Sequence, residues 1–180
     1  FRRLVTDSEV QSYVAMAGSA AQTLDDFYAG LRAALVGMLV APDFLFRVER
    51  TEQDPAQPDT YRLDGYSRAS RLSFFLWDTT PDAELLAAAE SGALESTLGL
   101  HRQIDRLLSS PRIEDGLRAF FSDMLGFDGF ATLSVDASLY PKFTKNVADD
   151  AREQTLLTIA HHLLDKNADY RDLFVTRDTF

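Results

Sequence analysis

The chain carries three histidines, 28 aspartates and glutamates, and no cysteine, so any chemistry it performs has to be drawn from imidazole, carboxylate, hydroxyl or guanidinium groups. His161 and His162 are the residues best suited by type to bind a metal or move a proton. Adjacent helical positions point about a hundred degrees apart, so the two cannot grip one ion as an i, i+4 pair would. His161 could join Glu153 or Asp165, but no HExxH spacing surrounds it. Both are read as surface or boundary histidines, and so is His101. Asp78, Asp82 and Glu84 flank Trp77, and carboxylates beside an aromatic ring can serve as acid and base in glycoside hydrolysis. The simpler reading makes Asp82 and Glu84 stabilisers of a first helical turn and Trp77 a core residue. Arg68 and Arg71 lie on the side of one helix that also bears Phe75. If that side is buried, each needs an anionic or carbonyl partner, and structural ion pairs are favoured over anion binding. Asp149, Asp150 and Glu153 read as a solvated helix start without the spacing of a calcium loop. Glycine-rich phosphate loops, GxSxG elbows and Ser-xx-Lys motifs are absent. The residues therefore name no catalytic, cofactor-binding or metal-ligating set.

The elements that would position these groups are helical throughout. The expected fold is all-α, with six or seven helices around a buried central one. That helix is expected from Asp64, its cap, to Trp77, and its second half is apolar nearly all round. Ala69, Ser70 and Ser73 form a stripe of small residues on it where another helix could approach. Thr80 and Pro81 are expected to cap and open the next helix. Before it, Thr6 to Glu9 reads as a capping box for a helix ended by Gly18 and Ser19. A second, well-buried helix is expected from Leu24, and PDFLF as a turn plugging Phe44, Leu45 and Phe46 into the core. Residues 51–60, TEQDPAQPDT, have the composition of a solvated linker, and no strand is evident.

Beyond the central helix, Pro81 to Ser91 should form a short helix ended by Gly92, and Thr97 to Ser109 another. Ser110-Pro111 should cap a helix facing inward with Ile113, Leu117, Phe120, Phe121 and Met124. Gly126 to Phe143 reads as a long loop pinned by Leu133, Leu139, Tyr140 and Phe143. A last helix from Thr144 to Lys166 should bury Leu156, Ile159, Ala160 and Leu163, with one more turn at Tyr170 to Phe174. Trp77, Leu72, Phe120 and Leu156 are expected to be almost wholly buried.

Composition bounds the partners. A formal net charge of -10 repels nucleic-acid phosphates and anionic lipid. Without cysteine there is no disulfide, thiolate metal site or covalent haem attachment within this sequence. No apolar run reaches the length of a membrane span. The first residue is Phe1, so a fragment or processed chain is expected, with any export signal upstream.

Read as a string, the chain resembles two bacterial families. FRRLVTDSEV and GLRAALVGMLVAPDFLFRVE are similar to the "domain of unknown function 1595" family. YRLDGYSRASRLSFFLWDTTPDAELLAAAESGAL, QIDRLLSSPR, FFSDMLGF and LSVDASLYPKF resemble the "domain of unknown function 1592" family. Where that family tends to carry a Glu-Thr pair, this chain has Gln154-Thr155. The resemblance implies an N-terminal segment at 1–50, the linker at 51–60 and a larger domain at 61–180, packed as one unit, with a pattern that continues beyond Phe180. It also implies an extracytoplasmic setting, in modular proteins that hold c-type cytochrome domains elsewhere, with haem in those neighbours and none here.

Three functional readings follow. The first is a non-catalytic helical scaffold that contacts neighbouring domains of its own polypeptide. The second is part of a redox or polysaccharide-acting enzyme completed by other domains, and the third a small-ligand or carbohydrate-binding domain. A deep pocket with converging polar groups would favour the latter two, and an apolar surface patch the first.

Overall fold

The computed structural model describes residues 1–136 and 138–177, so the expectation about Phe180 lies outside the described residues. Among the described residues the fold is all-α apart from one two-stranded hairpin, and the chain forms two compact units. The first comprises Phe1–Ser73 with Thr80–Ile104, and the second Phe74–Thr79 with Asp105–Phe180.

In the first unit Thr6 caps α1 (Asp7–Leu24), and the reciprocal Thr6 and Glu9 bonds of the capping box are both present. The helix does not stop at Gly18 and Ser19, as the sequence suggested. A lone glycine costs a helix only about 1 kcal/mol relative to alanine, and the break comes instead at Asp25, which adopts a left-handed conformation with φ 47°. Asp26 then caps α2 (Phe27–Leu39) by accepting from the Tyr28 N–H at 2.8 Å. α1 and α2 pack through their smallest residues. A Cβ built on Gly30 would lie 2.5 Å from the Ala17 carbonyl oxygen, and only Gly30 and Ala34 of α2 are buried. The expectation of a well-buried second helix therefore fails, because small residues face the partner helix while Phe27, Leu31, Leu35 and Leu39 face away. PDFLF fails as a plug for the same reason. Its residues form a single turn, α3 (Pro42–Leu45), with Phe44, Leu45 and Phe46 exposed.

Residues 51–60 are not a strandless linker. β1 (Thr51–Asp54) pairs antiparallel with β2 (Gln57–Leu63), with Thr51 opposite Leu63 and Gln53 opposite Tyr61. The two prolines that suggested a connection sit where a hairpin accepts them. Pro55 occupies the turn, where the Asp54 side chain accepts from the Ala56 N–H, and Pro58 lies in the irregular part of the ladder next to Asp54.

α4 (Gly65–Trp77) starts at Asp64, whose carboxylate accepts from the Ser67 N–H at 2.7 Å. Its residues Gly65 to Ser73 belong to the first unit and the rest to the second. What α4 buries in the first unit is the small-residue side: Ser67, Ala69, Ser70 and Ser73. Gly65 lies against the backbone of Ala89, where a Cβ would come within 2.8 Å of the carbonyl oxygen. Leu72 is only partly buried, against expectation. α5 (Ala83–Glu90) is capped by Asp82 rather than by Thr80, and Gly92 turns the chain with φ 72° after it. Leu85 and Leu94 complete this unit's core. α6 (Thr97–Leu108) follows, with residues to Ile104 in this unit.

The second unit has a core of large side chains. α7 (Ile113–Met124) and α8 (Lys145–Ala160) contribute Phe121, Leu156 and Ile159, joined by Phe127 from the 3-10 segment Phe127–Thr132. Leu117, Phe130, Leu163 and Leu173 pack against them. The loop after α7 is therefore held by Phe127 and Phe130. Leu133, Leu139 and Tyr140 are exposed and Phe143 is half-buried, so the sequence named the wrong pins. α8 gives way to one π-helical stretch, His161–Asp165, and a 3-10 turn follows at Tyr170–Phe174. Eight α-helices are thus present among the described residues, the single turn of α3 being one of them.

Candidate functional site

The face of α7 decides what the second unit offers to a partner. The sequence suggested one inward face of Ile113, Leu117, Phe120, Phe121 and Met124. The helix is instead rolled so that Gly116 lies against the end of α4, where an added Cβ would meet the Leu76 carbonyl oxygen at 2.2 Å. That close approach buries Phe121 and turns Phe120 outward, leaving it 51% exposed. Phe75 is 71% exposed on α4, so the apolar second half of that helix is not enclosed all round. The readable signal was Gly116 itself, a glycine in mid-helix.

Between these elements lies an apolar trough. One recess of about 370 Å³ is lined by Phe75, Ile113, Leu117, Phe120, Tyr170 and Phe174, among others. A second recess of about 340 Å³ shares Phe121, Met124 and Phe174 with it. The rest of its lining mixes apolar Leu125, Ile159 and Leu173 with the neutral polar residues Gln154, Thr155, Thr158 and Thr176. Thr155 and Thr158 donate their hydroxyls to the carbonyls of Ala151 and Gln154 within α8, which leaves them acceptors toward the trough. Gln154 stands on this wall, and the residues lining the recess include no Asp, Glu, Lys, Arg or His.

The groups singled out by type are each accounted for locally. His161 Nδ1 lies 2.8 Å from Asp165 Oδ2, and His162 Nε2 lies 2.9 Å from the Asp169 carbonyl oxygen, so both histidines fasten the π-helical stretch and the turn after it. Among the described residues no group of three or more His, Asp or Glu side chains is placed to hold a metal. Asp82 accepts from the Leu85 N–H at 2.9 Å as the α5 cap, and Glu84 is 3.4 Å from the Gln103 amide. Asp78 belongs to the second unit and adopts φ 51° just after α4. Trp77 is 3% exposed, donates from Nε1 to the Leu107 carbonyl at 2.9 Å, and is covered by the guanidinium groups of Arg112 and Arg106, 4.7 and 5.7 Å from its ring. It is a core residue with a cationic roof.

The arginines of α4 are both engaged. Arg68 donates to the carbonyls of Leu94 and Leu63. Arg71 makes a two-pronged pair with Glu49 at 2.9 and 3.0 Å. Glu153 pairs with Arg118, which also reaches Glu114 at 3.3 Å, while Asp149 and Asp150 are exposed. One ionic cluster of four groups is among those the sequence did not flag. Arg3 bonds both Glu9 and Asp43, and Arg50 reaches the same Asp43 at 3.1 Å. The bond to Arg3 is the leading cause that holds the carboxyls of Glu9 and Asp43 below their ordinary range. Every member has a partner of opposite charge, so this is a fastening of the N-terminus to α3 rather than a reactive centre.

Two family patterns cover the chain. Residues 63–180 match the family described as "protein of unknown function (DUF1592)", and residues 1–49 match "protein of unknown function (DUF1595)". The chain belongs to the DUF1592 family. No curated protein and no solved structure matches it. Within this DUF1592 chain the boundary between the two patterns falls at the β1–β2 hairpin.

Proposed function

We propose that this chain is a non-catalytic helical interaction module, and that its natural setting is a modular, extracytoplasmic, c-type-cytochrome-associated bacterial protein whose other domains it contacts. The observation that carries the reading is the trough of the second unit. It presents large apolar side chains to solvent, Phe75, Phe120, Tyr170 and Phe174 among them, with no converging ionisable group on its walls. Exposed apolar surface of this kind is what protein partners cover. Enzymatic sites gather groups with displaced proton affinities, whereas the displaced carboxylates here are held in ion pairs and turns and none of them lines the trough.

The test is binding between this chain and the flanking segments of its own polypeptide, measured by calorimetry with wild type and with Phe174→Asp. Loss of binding in a variant that keeps the wild-type circular dichroism is expected. Metal analysis, haem absorbance and a glycosidase and esterase screen run beside it. A stoichiometric metal lost in His161→Ala, or turnover lost in Asp78→Asn, would replace the module with an enzyme.

The size of the trough favours a second reading, a neutral apolar small molecule. Each recess lies within the range of roughly 300 to 1,000 Å³ typical of ligand pockets. Saturable quenching of Trp77 or a thermal shift by a neutral amphiphile, abolished in Phe174→Asp, is the result that would select it.

A further inference from the structure

We infer that the outer face of α2 is a self-association surface, and that its occupant is α2 of a second copy of this chain, laid antiparallel. The inference is independent of the trough. Within the first unit α2 meets α1 through Gly30, against Ala17 and Ala21, and through Gly37, against Met16 and Tyr13, while large side chains on its other side stay exposed. Phe27, Leu31, Leu35 and Leu39 recur every four residues and form a continuous stripe, widened by Tyr28 and Val36. These six are between 44% and 73% exposed. Only Arg32 interrupts them with a charge.

The area is that of an interface. With an aromatic side chain presenting about 150 to 250 Å² and an aliphatic one somewhat less, the six expose on the order of 700 Å², close to the roughly 800 Å² per partner of a standard specific interface. An almost uncharged stripe is complementary to itself, which a two-fold contact requires because the same patch serves both copies. Charge fixes the direction. A parallel arrangement would set Asp25 and Asp26 of one copy beside the same two residues of the other, at the N-terminal end of the stripe. The antiparallel arrangement separates them, opposes the helix dipoles, and places the bulky end at Phe27 against the smaller side chain at Leu39, with Leu31 opposite Leu35. Two α1–α2 hairpins joined in this way make a four-helix bundle whose inner seam is α2 against α2.

The experiment is sedimentation velocity on the whole 180-residue chain across a wide range of concentration, with wild type, Leu35→Glu and, as a control on the outer side of α1, Ser12→Glu. Wild type and Ser12→Glu should form a dimer. Leu35→Glu should dissociate at least about a hundredfold more readily, since it places an unpaired charge in the seam. Because the chain lacks cysteine, crosslinking reads the direction cleanly. Leu31→Cys combined with Leu35→Cys should yield a disulfide-linked dimer on mild oxidation, and Leu31→Cys alone should not. Should Leu35→Glu fail to fold, the crosslinking pair decides on its own. A wild type that stays monomeric throughout, a dimer indifferent to Leu35→Glu, or a crosslink through Leu31→Cys alone would each overturn the inference.

Discussion

The contact of α2 with α1 and the contact of α7 with the end of α4 are each seated on a glycine, yet they sort their side chains in opposite ways. Gly30 brings α2 so close to α1 that it lies directly against Ala17 and Ala21, and Phe27, Leu31, Leu35 and Leu39 of α2 are left exposed. Gly116 brings α7 against the backbone at the end of α4, and that approach swings Phe121 inward to join Leu156, Ile159 and Phe127. Close backbone approach thus costs the first contact its hydrophobic interior and supplies the second with one. Burial of large side chains contributes about 1.5 to 3 kcal/mol each, so the second unit should carry more of its stability in side-chain packing. The first has Leu85 and Leu94 as its fully buried large side chains and should rest relatively more on caps, ion pairs and whatever covers α2.

The largest effect that tests this contrast is at the neighbouring phenylalanines of α7. Phe121→Ala should cost about 3 to 5 kcal/mol, whereas Phe120→Ala, at a half-exposed position, should cost well under half of that. Urea unfolding of both variants measures the difference. Equal losses would mean that α7 faces the core as its sequence first suggested, and that the trough is closed in solution.

The glycines come next. Gly116→Ala puts a methyl 2.2 Å from a backbone carbonyl oxygen with large side chains packed around it, so about 3 kcal/mol of overpacking should swamp the roughly 1 kcal/mol that alanine gains in helix propensity. Gly30→Ala meets Ala17 and Ala21 at 2.5 and 2.7 Å, but its neighbours are small and α2 has an open outer side toward which it can shift. A net loss near 1 kcal/mol is expected there. If Gly30→Ala proves the more damaging in calorimetric melting, the outer side of α2 is held in place by a partner even in the isolated chain.

These two glycines also mark where sequence reading succeeded and where it failed. Helices and their caps were legible because their signals are local. Thr6 with Glu9, Asp64, Thr144 and Gly92 each act within one turn of themselves. Trp77, Leu156, Ile159 and Ala160 were correctly placed inside. Facing was misjudged wherever a small residue set the approach, because ranking by hydrophobicity assigns the interior to Phe120 and Leu35 when geometry gives it to Gly116 and Ala34. The hairpin was missed because proline was counted against a strand without regard to turn and edge positions. The trough escaped notice in part because Phe120, Phe121 and Met124, which line it, had been assigned to the core.

A smaller effect separates the units by pH. Glu9 and Asp43 are held below their ordinary values of 4.5 and 3.8, first by the bond each accepts from Arg3. A carboxyl whose folded-state affinity for protons is lowered contributes stability above its ordinary value and loses it as the pH falls from there toward the folded value. Acid should therefore loosen the fastening of the N-terminus to α3 as the pH drops below about 4. Comparing urea midpoints of wild type and Arg3→Met at successively lower pH checks it. The gap between them should shrink with acid, and a gap that stays constant would mean that Arg3 contributes packing rather than charge.

The smallest effect is expected at Arg71, and it bears on how open the first unit is. Were the Phe75 side of α4 enclosed, Arg71 would be a buried cation, and removing Glu49 alone would be far worse than removing Arg71. The two-pronged pair with Glu49 is present, but the Arg71 side chain is 60% exposed, and Arg47 stands 3.9 Å from the same carboxylate. Water can take over either partner's role. Arg71→Met and Glu49→Gln should then each change stability by no more than about 1 kcal/mol, with a coupling in the double-mutant cycle of similar size that fades as salt is added. A coupling of several kcal/mol that survives high salt would show that this side of the helix is covered in solution, and the difference between an open first unit and a packed second one would have to be withdrawn.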